Sequence, residues 1–299
     1  MLRLSPKRTN TFSIADINVN AALSAGKATK LTTKDTTEVL AFLTERPVHT
    51  VVMSSYINDN GIESELNRGV FYGYRGRDGK LEGVALIGHS TLVEARTSNA
   101  LAALAAEARR TETPIHLIMS SDDVAERFWK LMGMVEAPRL TCTESLFEVA
   151  FPFMVRGTDR KLRTATMEWL MPVAEAQAEV AFVECGVDPM MRDREGFLKR
   201  VARRIEQDRV FILTDGDKLV FKADIIAETN GVIYLEGVYV NEEYRGRGIG
   251  PECLASLTLD LLGRADHICM LSNVEFEAAH RSFVKAGYKA TDQCTTLFV

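Results

Sequence analysis

The stretch of this chain with the clearest chemistry is a glycine-rich turn, Tyr244-Arg245-Gly246-Arg247-Gly248-Ile249-Gly250. It follows the apolar run 232–240, which is predicted to be a buried strand, and precedes residues 251–265, which are predicted to form an amphipathic helix. Glycines allow the backbone to bend with its N–H groups pointing inward, and a helix N-terminus adds partial positive charge. This arrangement predicts a binding site for a ligand that carries phosphate.

The residues after the turn exclude two common phosphate-binding motifs. A Walker loop requires Lys and then Ser or Thr after its last glycine, but Pro251 and Glu252 follow Gly250. A dinucleotide-binding fingerprint requires a third glycine three positions after Gly248, and Pro251 occupies that position as well. The chain instead contains the pattern Arg-x-x-Gly-x-Gly, formed by Arg245, Gly248 and Gly250.

This pattern and the strand before it resemble the pyrophosphate-binding motif of the GNAT superfamily of N-acetyltransferases, which bind acetyl-CoA. The resemblance covers about Arg163 to Val299 and is strongest from Val232 to Tyr288. It implies that strand backbone holds the thioester and that the turn holds the pyrophosphate of acetyl-CoA, the cosubstrate. The residues it implies in this binding are Val238, Tyr239, Val240, Arg245, Gly246, Arg247, Gly248, Ile249, Gly250 and Asn273. An ordinary tight turn between a strand and a helix is the alternative interpretation.

Glu236 is the predicted general base that deprotonates an amine. The alternation of side chains along a strand places it on the face of Tyr234 and Val238, opposite Leu235. A carboxylate within an apolar strand is costly unless it is paired or used, and the family often has a glutamate at this position. A raised pKa would suit this carboxylate to proton removal near neutral pH. The alternatives are a glutamate that faces a solvated cleft and one that is paired with an arginine.

The sequence does not identify a general acid, because Phe283 stands where the family usually has a tyrosine that protonates the CoA sulfur. A thiol pKa of about 8.5 makes thiolate a tolerable leaving group, so this loss need not abolish transfer. The family's helix asparagine is also displaced, since Phe276 stands at its usual place and Asn273 lies three residues earlier. Asn273 could reach the pantetheine arm of CoA or cap the next helix. His280, near the position of the missing tyrosine, is a weaker candidate.

Bulk composition limits the class of protein. A chain of 299 residues is long enough for two domains, each with its own core. Its net charge of −5 does not favour nonspecific binding to nucleic acid. Its five cysteines are scattered without a C-x-x-C pair, which argues against a disulfide framework and a metal site. It has no apolar run of membrane-spanning length and no signal-like N-terminus, so we expect a cytoplasmic protein without a membrane partner. Oligomeric state is not indicated.

The C-terminal half has the order of elements that is typical of a GNAT domain. The predicted strands and helices are strand 162–170, helices 172–185 and 194–207, hairpin strands 209–214 and 219–227, strand 232–240, helix 251–265, strand 267–271, helix 275–286 and strand 295–299.

The N-terminal half repeats this order more faintly. Its predicted elements are strands 70–74 and 83–88, a helix at 98–109, strand 116–120 and a helix at 125–133. Residues 89–97, between the second strand and the alanine-rich helix, contain no glycine and no Arg-x-x-Gly-x-Gly pattern, so this half is predicted to lack a CoA loop. A polar stretch at 156–160 predicts the boundary between a degenerate GNAT-like domain, 1–155, and a GNAT acetyltransferase domain, 156–299.

The predicted fold class is α/β (α+β), with two tandem GNAT-like folds, each a mixed, mostly antiparallel twisted sheet flanked by helices. This layout resembles mycothiol synthase and related bacterial two-domain acetyltransferases. The leading hypothesis is an acetyl-CoA-dependent N-acetyltransferase that acts by direct transfer on a small-molecule or peptide amine. The alternative is a catalytically quiet acyl-CoA-binding sensor. An aminoacyl transferase that uses charged tRNA is less favoured, because the chain is acidic and lacks a basic stripe.

Overall fold

The computed structural model describes residues 26–153 and 160–299, in which helices pack on both faces of one sheet. The helices are α1 Thr36–Thr44, α2 Pro47–Asn60, α3 Ser98–Ala108, α4 Val124–Leu131, α5 Leu170–Cys185, α6 Pro189–Arg192, α7 Arg194–Glu206, α8 Ile249–Leu261 and α9 Glu277–Lys285. The strands are β1 Thr29–Lys30, β2 Gly69–Arg75, β3 Leu81–Gly88, β4 Ser90–Ala95, β5 Leu117–Ser121, β6 Leu140–Ala150, β7 Arg163–Thr164, β8 Val210–Asp215, β9 Lys218–Glu228, β10 Val232–Val240, β11 His267–Asn273 and β12 Lys289–Phe298. Among these helices, none has the length and apolarity needed to cross a membrane.

The sheet contains the same strand arrangement twice. Its order is β1-β2-β3-β4-β5-β12-β6-β11-β10-β9-β8-β7. In the first half β2, β3 and β4 are antiparallel and β4 runs parallel to β5. In the second half β8, β9 and β10 are antiparallel and β10 runs parallel to β11. The predicted fold class, two tandem folds with mixed and mostly antiparallel strands, is confirmed.

The two halves exchange their last strands. β6, the last strand of the first half, pairs with β11 of the second half. β12, the last strand of the second half, pairs with β5 of the first half, and β6 and β12 also pair with each other. Each half therefore completes its sheet with a strand from the other, and the hydrogen-bonded sheet is continuous between them.

The central strand β10 has an apolar core on each of its faces. Leu235 packs with Leu254 and Leu257 of α8 on one face. Tyr234 packs with Val51 of α2 on the other, because successive side chains of a strand point to opposite faces. Beside β10, the first half is also hydrogen-bonded to strand β9 of the second half, since the N–H of Glu228 donates to the hydroxyl of Ser55 on α2 at 3.0 Å. Helix α2 therefore brings the first half directly onto the central strand of the second.

Two predicted elements were wrong. The strand predicted at 162–170 is only Arg163–Thr164, followed by a 3-10 turn, Met167–Trp169, and then α5. The buried residues there, Trp169, Val173 and Ala174, have helical spacing, which overrides the short alternation before them.

The segment 89–97, predicted to be a loop, contains strand β4 at Ser90–Ala95, which is held between β3 and β5. β4 is therefore the counterpart of β10. The predicted domain boundary at 156–160 lies largely outside the described residues.

Candidate active site

A cleft opens where β10 and β11 diverge. The two strands pair only at their beginnings, from Val232 with His267 to Tyr234 with Cys269, and beyond Tyr234 they separate. The cleft between them has a volume of about 880 Å³ and reaches from α5 to the turn before α8 and to α9. The backbone groups on the freed edge of β10 have no strand partner on this side, so they are available to a ligand.

A bulge at Gly237 bends β10 at the mouth of this cleft. Glu236 is opposite Asp224 and Tyr239 is opposite Lys222, so β10 has one residue more than β9 in this interval. Gly237 has a φ of +60°, which is a conformation that favours glycine. A Cβ at this position would lie 2.2 Å from Oε1 of Gln177, so no other residue fits without a rearrangement.

A buried lysine holds the bulge in place. Nζ of Lys222 donates to the carbonyl of Gly237 at 2.9 Å and to Oε1 of Gln177 at 2.6 Å. Its charge is balanced by Asp224, whose Oδ1 lies 2.9 Å away, and both side chains are fully buried. Burial lowers the pKa of Lys222, and Asp224 opposes this effect. Sequence reasoning missed this group, although the pattern Lys-x-Asp within an apolar strand is the kind of buried charge that requires a partner.

The glycine-rich turn has the geometry expected of an anion cradle. Gly246 and Gly248 have φ values of +77° and +78°, and α8 begins at Ile249 immediately after them. A Cβ at either position would meet no backbone atom within 4 Å. Glycine is therefore needed at both positions for its backbone conformation and not for lack of space. The first turn of α8 adds N–H groups without helical partners and the positive end of the helix dipole.

Arg245 anchors this turn. Its Nε donates to the carbonyl of Val240 at 2.9 Å, and its Nη2 donates to Oε1 of Glu179 on α5 at 3.0 Å. Its guanidinium lies 5.9 Å from the centre of the Tyr239 ring. Arg245 therefore joins the turn to the end of β10 and to α5 and fixes the position of the turn relative to the cleft.

Most of the predicted site residues meet in the cleft. Those that line it are Glu236, Val238, Tyr239, Val240, Arg245, Gly246, Gly248, Ile249 and Gly250. The guanidinium of Arg247 instead lies over the ring of Tyr244, at 5.6 Å from its centre. Oδ1 of Asn273 accepts a hydrogen bond from the N–H of Glu275 at 3.0 Å, so this side chain closes the turn before α9. Asn273 is absent from the described lining of the cleft, and it does not cap α9 either, because the N-cap residue of that helix is Phe276, without a side-chain cap hydrogen bond.

Glu236 lies half-buried on the wall of the cleft. Desolvation raises the pKa of its carboxyl group, while a hydrogen bond with Tyr234 and the positive charge of Arg204 act in the opposite direction. A carboxylate with a raised pKa holds a proton more readily at neutral pH, which is the property required of a general base.

Two further carboxylates accompany Glu236, and sequence reasoning missed both. Glu184 on α5 lines the same cleft, and desolvation and then the negative charges of Glu236 and Glu144 raise its pKa. Glu144 is on β6, two residues from Leu146, which packs with Tyr234 on the same face of the sheet as Glu236. Burial raises the pKa of Glu144 to about 7, although the hydroxyl of Thr296 donates a hydrogen bond to it. No local motif marks Glu144, because the strand exchange brings it there from the first half.

The position of the missing tyrosine lies in the cleft. Phe283 lines the cleft and packs edge-on against Phe147, with ring centres 5.3 Å apart. Tyr288 is buried with its hydroxyl 2.7 Å from Oγ1 of Thr258, so it is the core aromatic. His280 packs against Phe147 at 4.8 Å and does not appear among the described lining residues.

The first half contributes Tyr56 of α2 to the surroundings of Glu236. Burial and then the charge of Glu236 raise the pKa of the Tyr56 hydroxyl, and Arg204 and Arg68 lower it. The face of Glu236 is therefore bordered by both halves of the chain, whereas the opposite face belongs to α8 and α9.

Comparisons with known proteins agree with this geometry. Residues 168–288 match the family described as acetyltransferase (GNAT) family. A tandem GNAT protein from the clavulanic acid biosynthesis pathway is 14% identical, with a TM-score of 0.57 over 91% of this chain and 98% of that chain. A Drosophila protein has a TM-score of 0.68 at 13% identity, over 92% of this chain and 99% of that chain. A GCN5-related N-acetyltransferase from Sphaerobacter thermophilus has a TM-score of 0.55 at 13% identity, over 90% and 93%.

These structural likenesses are at low identity and show the fold alone. Among curated proteins, none matches the chain. The family match covers the diverging strands, the glycine-rich turn and Glu236, which are the features that form the cleft. Residues 168–288 therefore form an acetyltransferase domain of the GNAT family, in a chain whose fold is shared with a tandem GNAT protein.

Proposed function

We propose that this chain is an N-acetyltransferase that transfers the acetyl group of acetyl-CoA directly to an amine of a small molecule or peptide. The observation that carries the proposal is a single cleft with a glycine-rich helix start at one side and a half-buried carboxylate at the other. This arrangement suits a cosubstrate with a pyrophosphate at one end and a reactive acyl group at the other.

In this mechanism, backbone groups of the chain bind and orient acetyl-CoA. The N–H groups of residues 246–250 would donate to the pyrophosphate, supported by the N-terminus of α8. The freed edge of β10 at 238–240 would donate to the thioester oxygen, where negative charge develops during transfer. Bound acetyl-CoA supplies an activated acyl group. The bulge at Gly237 lies at the start of this edge, where β10 has one residue more than β9.

Side chains on the face of the sheet that carries Glu236, which we call the acceptor face, favour an amine as the acetyl acceptor. Glu236, Glu184 and Glu144 would attract an ammonium group, and the first of these would accept its proton. The free amine nitrogen then bonds to the acyl carbon as the carbon–sulfur bond breaks, the electron pair leaves with the sulfur, and the nitrogen releases its remaining extra proton to water as the amide forms. Phe283 donates no proton, so the sulfur would depart as thiolate and take a proton from water.

Direct transfer is favoured over a route through an acetyl-cysteine. Burial raises the pKa of Cys253 to about 12 and raises the pKa of Cys269 as well. A buried thiol of this kind is almost entirely protonated at neutral pH and is a poor nucleophile.

We also propose that 156–299 is the active GNAT domain and that 1–155 is a degenerate domain without a CoA loop. In the first half two residues, Arg96 and Thr97, link β4 to α3, which starts at Ser98. Neither of them is a glycine. Calorimetry of the full chain with CoA should give one site per chain. Two equivalent sites would refute this assignment.

The test of the function is release of CoA thiol from acetyl-CoA with a panel of primary amines, including polyamines, amino sugars, amino acids and peptides. The acetylated product of any active amine is identified by mass spectrometry. The alternative, a quiet acyl-CoA sensor, is favoured by Phe283 at the position of the usual acid. Tight binding of acetyl-CoA with no transfer to any amine of the panel would support the sensor and count against the enzyme.

A further inference from the structure

A second cluster of polar side chains lies away from the cleft, at the junction of the two halves. His89, in the turn between β3 and β4, stacks on His116, just before β5, with ring centres 5.0 Å apart. The backbone ties these positions together, since the N–H of His89 donates to the carbonyl of Arg68 at 3.1 Å and the N–H of His116 donates to that of His89 at 3.0 Å. Arg68, His89 and His116 thus lie at the same end of the neighbouring strands β2 to β5.

Two glycines make this close approach possible. Gly69 and Gly88 are opposite each other in β2 and β3. A Cβ on Gly88 would lie 2.2 Å from the carbonyl oxygen of Arg68 and 2.4 Å from Cα of Gly69. These positions therefore require glycine, and the consequence is that Arg68 is held beside His89.

The second half adds two arginines to the same place. Nη2 of Arg192, on α6, lies 3.3 Å from Nδ1 of His116. Because a guanidinium only donates, Nδ1 of His116 must accept, and the imidazole proton is then on Nε2. Arg200, on α7, lies 3.4 Å from Asp193, whose other oxygen accepts the N–H of Gly196 and caps α7.

The electrostatic environment of the two histidines is positive. Desolvation lowers the pKa of His89, and the charges that act with it are those of Arg68, Arg192 and Arg200. The pKa of His116 is lowered by desolvation and then by Arg192, His89 and Arg68. Within the described residues, Nδ1 of His89 is buried without a hydrogen-bond partner. The cluster therefore combines excess positive charge with an unused polar atom.

We propose that Arg68, Arg192 and Arg200, with the stacked imidazoles of His89 and His116, form a binding site for an oxyanion, either phosphate or carboxylate. Guanidinium groups pair with both kinds of oxyanion in two-pronged hydrogen bonds. The site is built from both halves, and it does not depend on the proposed acetyl transfer. An oxyanion there would connect α6 and α7 of the second half to the ends of strands β2 to β5 in the first half.

The test is NMR of the imidazole Cε1–Hε1 groups in the full chain, which contains five histidines. Inorganic phosphate and acetate are titrated separately at constant pH, with ionic strength held constant by sodium chloride. The expected result is a saturating shift of the His89 and His116 signals, with little change at His49 and His267. Tighter apparent binding of phosphate identifies a phosphate site, and tighter binding of acetate identifies a carboxylate site.

Variants separate this site from a general salt effect. The double substitution Arg68→Gln and Arg200→Gln should weaken the apparent affinity at least tenfold. The control is Lys199→Gln, since Lys199 is exposed, paired with Glu195 at 2.6 Å and adjacent to Arg200 in sequence. It should bind like the parent chain. Unchanged His49 and His267 signals in the double variant establish that it is folded. Non-saturating shifts, or saturation that survives the double substitution, would overturn the proposal.

Discussion

The two halves of this chain contain the same strand divergence, but among the described residues the divergence of the second half opens into a wide cleft and that of the first half encloses a small cavity. β4 pairs with β5 from Ser90 to Leu92 and then separates, as β10 separates from β11 beyond Tyr234. Glu94 lies two residues after the last pair of β4, and Glu236 lies two residues after the last pair of β10. The carboxylates therefore occupy equivalent positions, so the difference between the halves is in what surrounds them.

Arginines surround the carboxylate of the first half. Glu94 is 3% exposed, with Nη1 of Arg46 at 3.2 Å and Nη1 of Arg96 at 2.5 Å. Arg96 also lies over the ring of Phe42 at 4.9 Å. The space left at this divergence is about 40 Å³, against about 880 Å³ in the second half. Glu94 is therefore paired with two arginines and enclosed, whereas Glu236 lies on the wall of a wide cleft.

The helix that follows each divergence shows the same contrast. The hydroxyl of Thr97 accepts a hydrogen bond from the N–H of Ala100 at 3.2 Å, so the first turn of α3 is capped by its own chain. The residue before α8 is Gly248, which has no side chain to cap the helix. A helix that caps itself uses a donor that a phosphate group would otherwise take. The first half therefore keeps the strand geometry of the second, but its divergence is filled by side chains and the start of its helix is capped by its own chain.

The largest expected effect separates the two carboxylates. Glu236→Gln should lower kcat for acetyl transfer by about 10²–10⁴-fold, because a general base contributes that much, while acetyl-CoA affinity changes little. Glu94→Gln is the matched control in the first half and should keep kcat within about twofold when it is assayed well below its Tm. The measurement is steady-state release of CoA thiol with an active amine. Full activity of Glu236→Gln would remove Glu236 from the role of base, and equal losses in both variants would remove the distinction between the halves.

The second prediction concerns stability. Glu94→Ala should lower the free energy of unfolding by about 3 kcal/mol, since it leaves two arginines without their buried partner. The value falls at the low end of the range for buried pairs because both arginines keep contact with solvent. The control is Glu107→Ala, which breaks the surface pair with Arg110 and should cost less than about 1 kcal/mol. Urea unfolding measures both variants, and equal costs would contradict the structural role of Glu94.

The third prediction tests the turn before α8. Gly248→Val should weaken CoA binding by about 10–100-fold, because a β-branched residue resists the positive φ and displaces N–H donors whose hydrogen bonds to a charged group are worth about 1.5–3 kcal/mol. Gly79→Val is the matched control, since Gly79 also has a positive φ and open space around it but lies in the β2–β3 hairpin of the first half. Calorimetry should find the affinity of the control unchanged. Comparable weakening in both variants would mean that the effect comes from general strain.

Local patterns in the sequence predicted the parts of the site that are continuous in the chain. The glycine turn, β10 and Glu236 are close in sequence, and their types follow from turn chemistry and strand alternation. Glu144, Glu94 with Arg46, and the strand exchange involve residues far apart in the chain, and only the fold brings them together. β4 was missed because an apolar run between two predicted elements has no periodicity that distinguishes a buried strand from a loop.

The smallest expected effect is a pH dependence of stability that comes from Glu144. Burial raises its pKa to about 7 in the folded state, against 4.5 for the ordinary group. The folded chain therefore binds this proton more tightly than the unfolded chain does. The stabilisation is complete below pH 4.5 and is lost as the pH rises through 7.

Glu144→Gln removes this titration, so the variant does not lose this stabilisation as the pH rises. Its free energy of unfolding minus that of the parent chain should therefore increase by about 1–3 kcal/mol from pH 4.5 to pH 8. Urea unfolding at several pH values measures this difference. Glu112→Gln, at an exposed position of the first half, is the control and should differ from the parent chain by less than about 0.5 kcal/mol at each pH. A pH-independent difference for Glu144→Gln would mean that its carboxyl group ionises normally. It would also mean that the surroundings of Glu144, unlike those of the enclosed Glu94, are open enough for water to solvate its carboxylate.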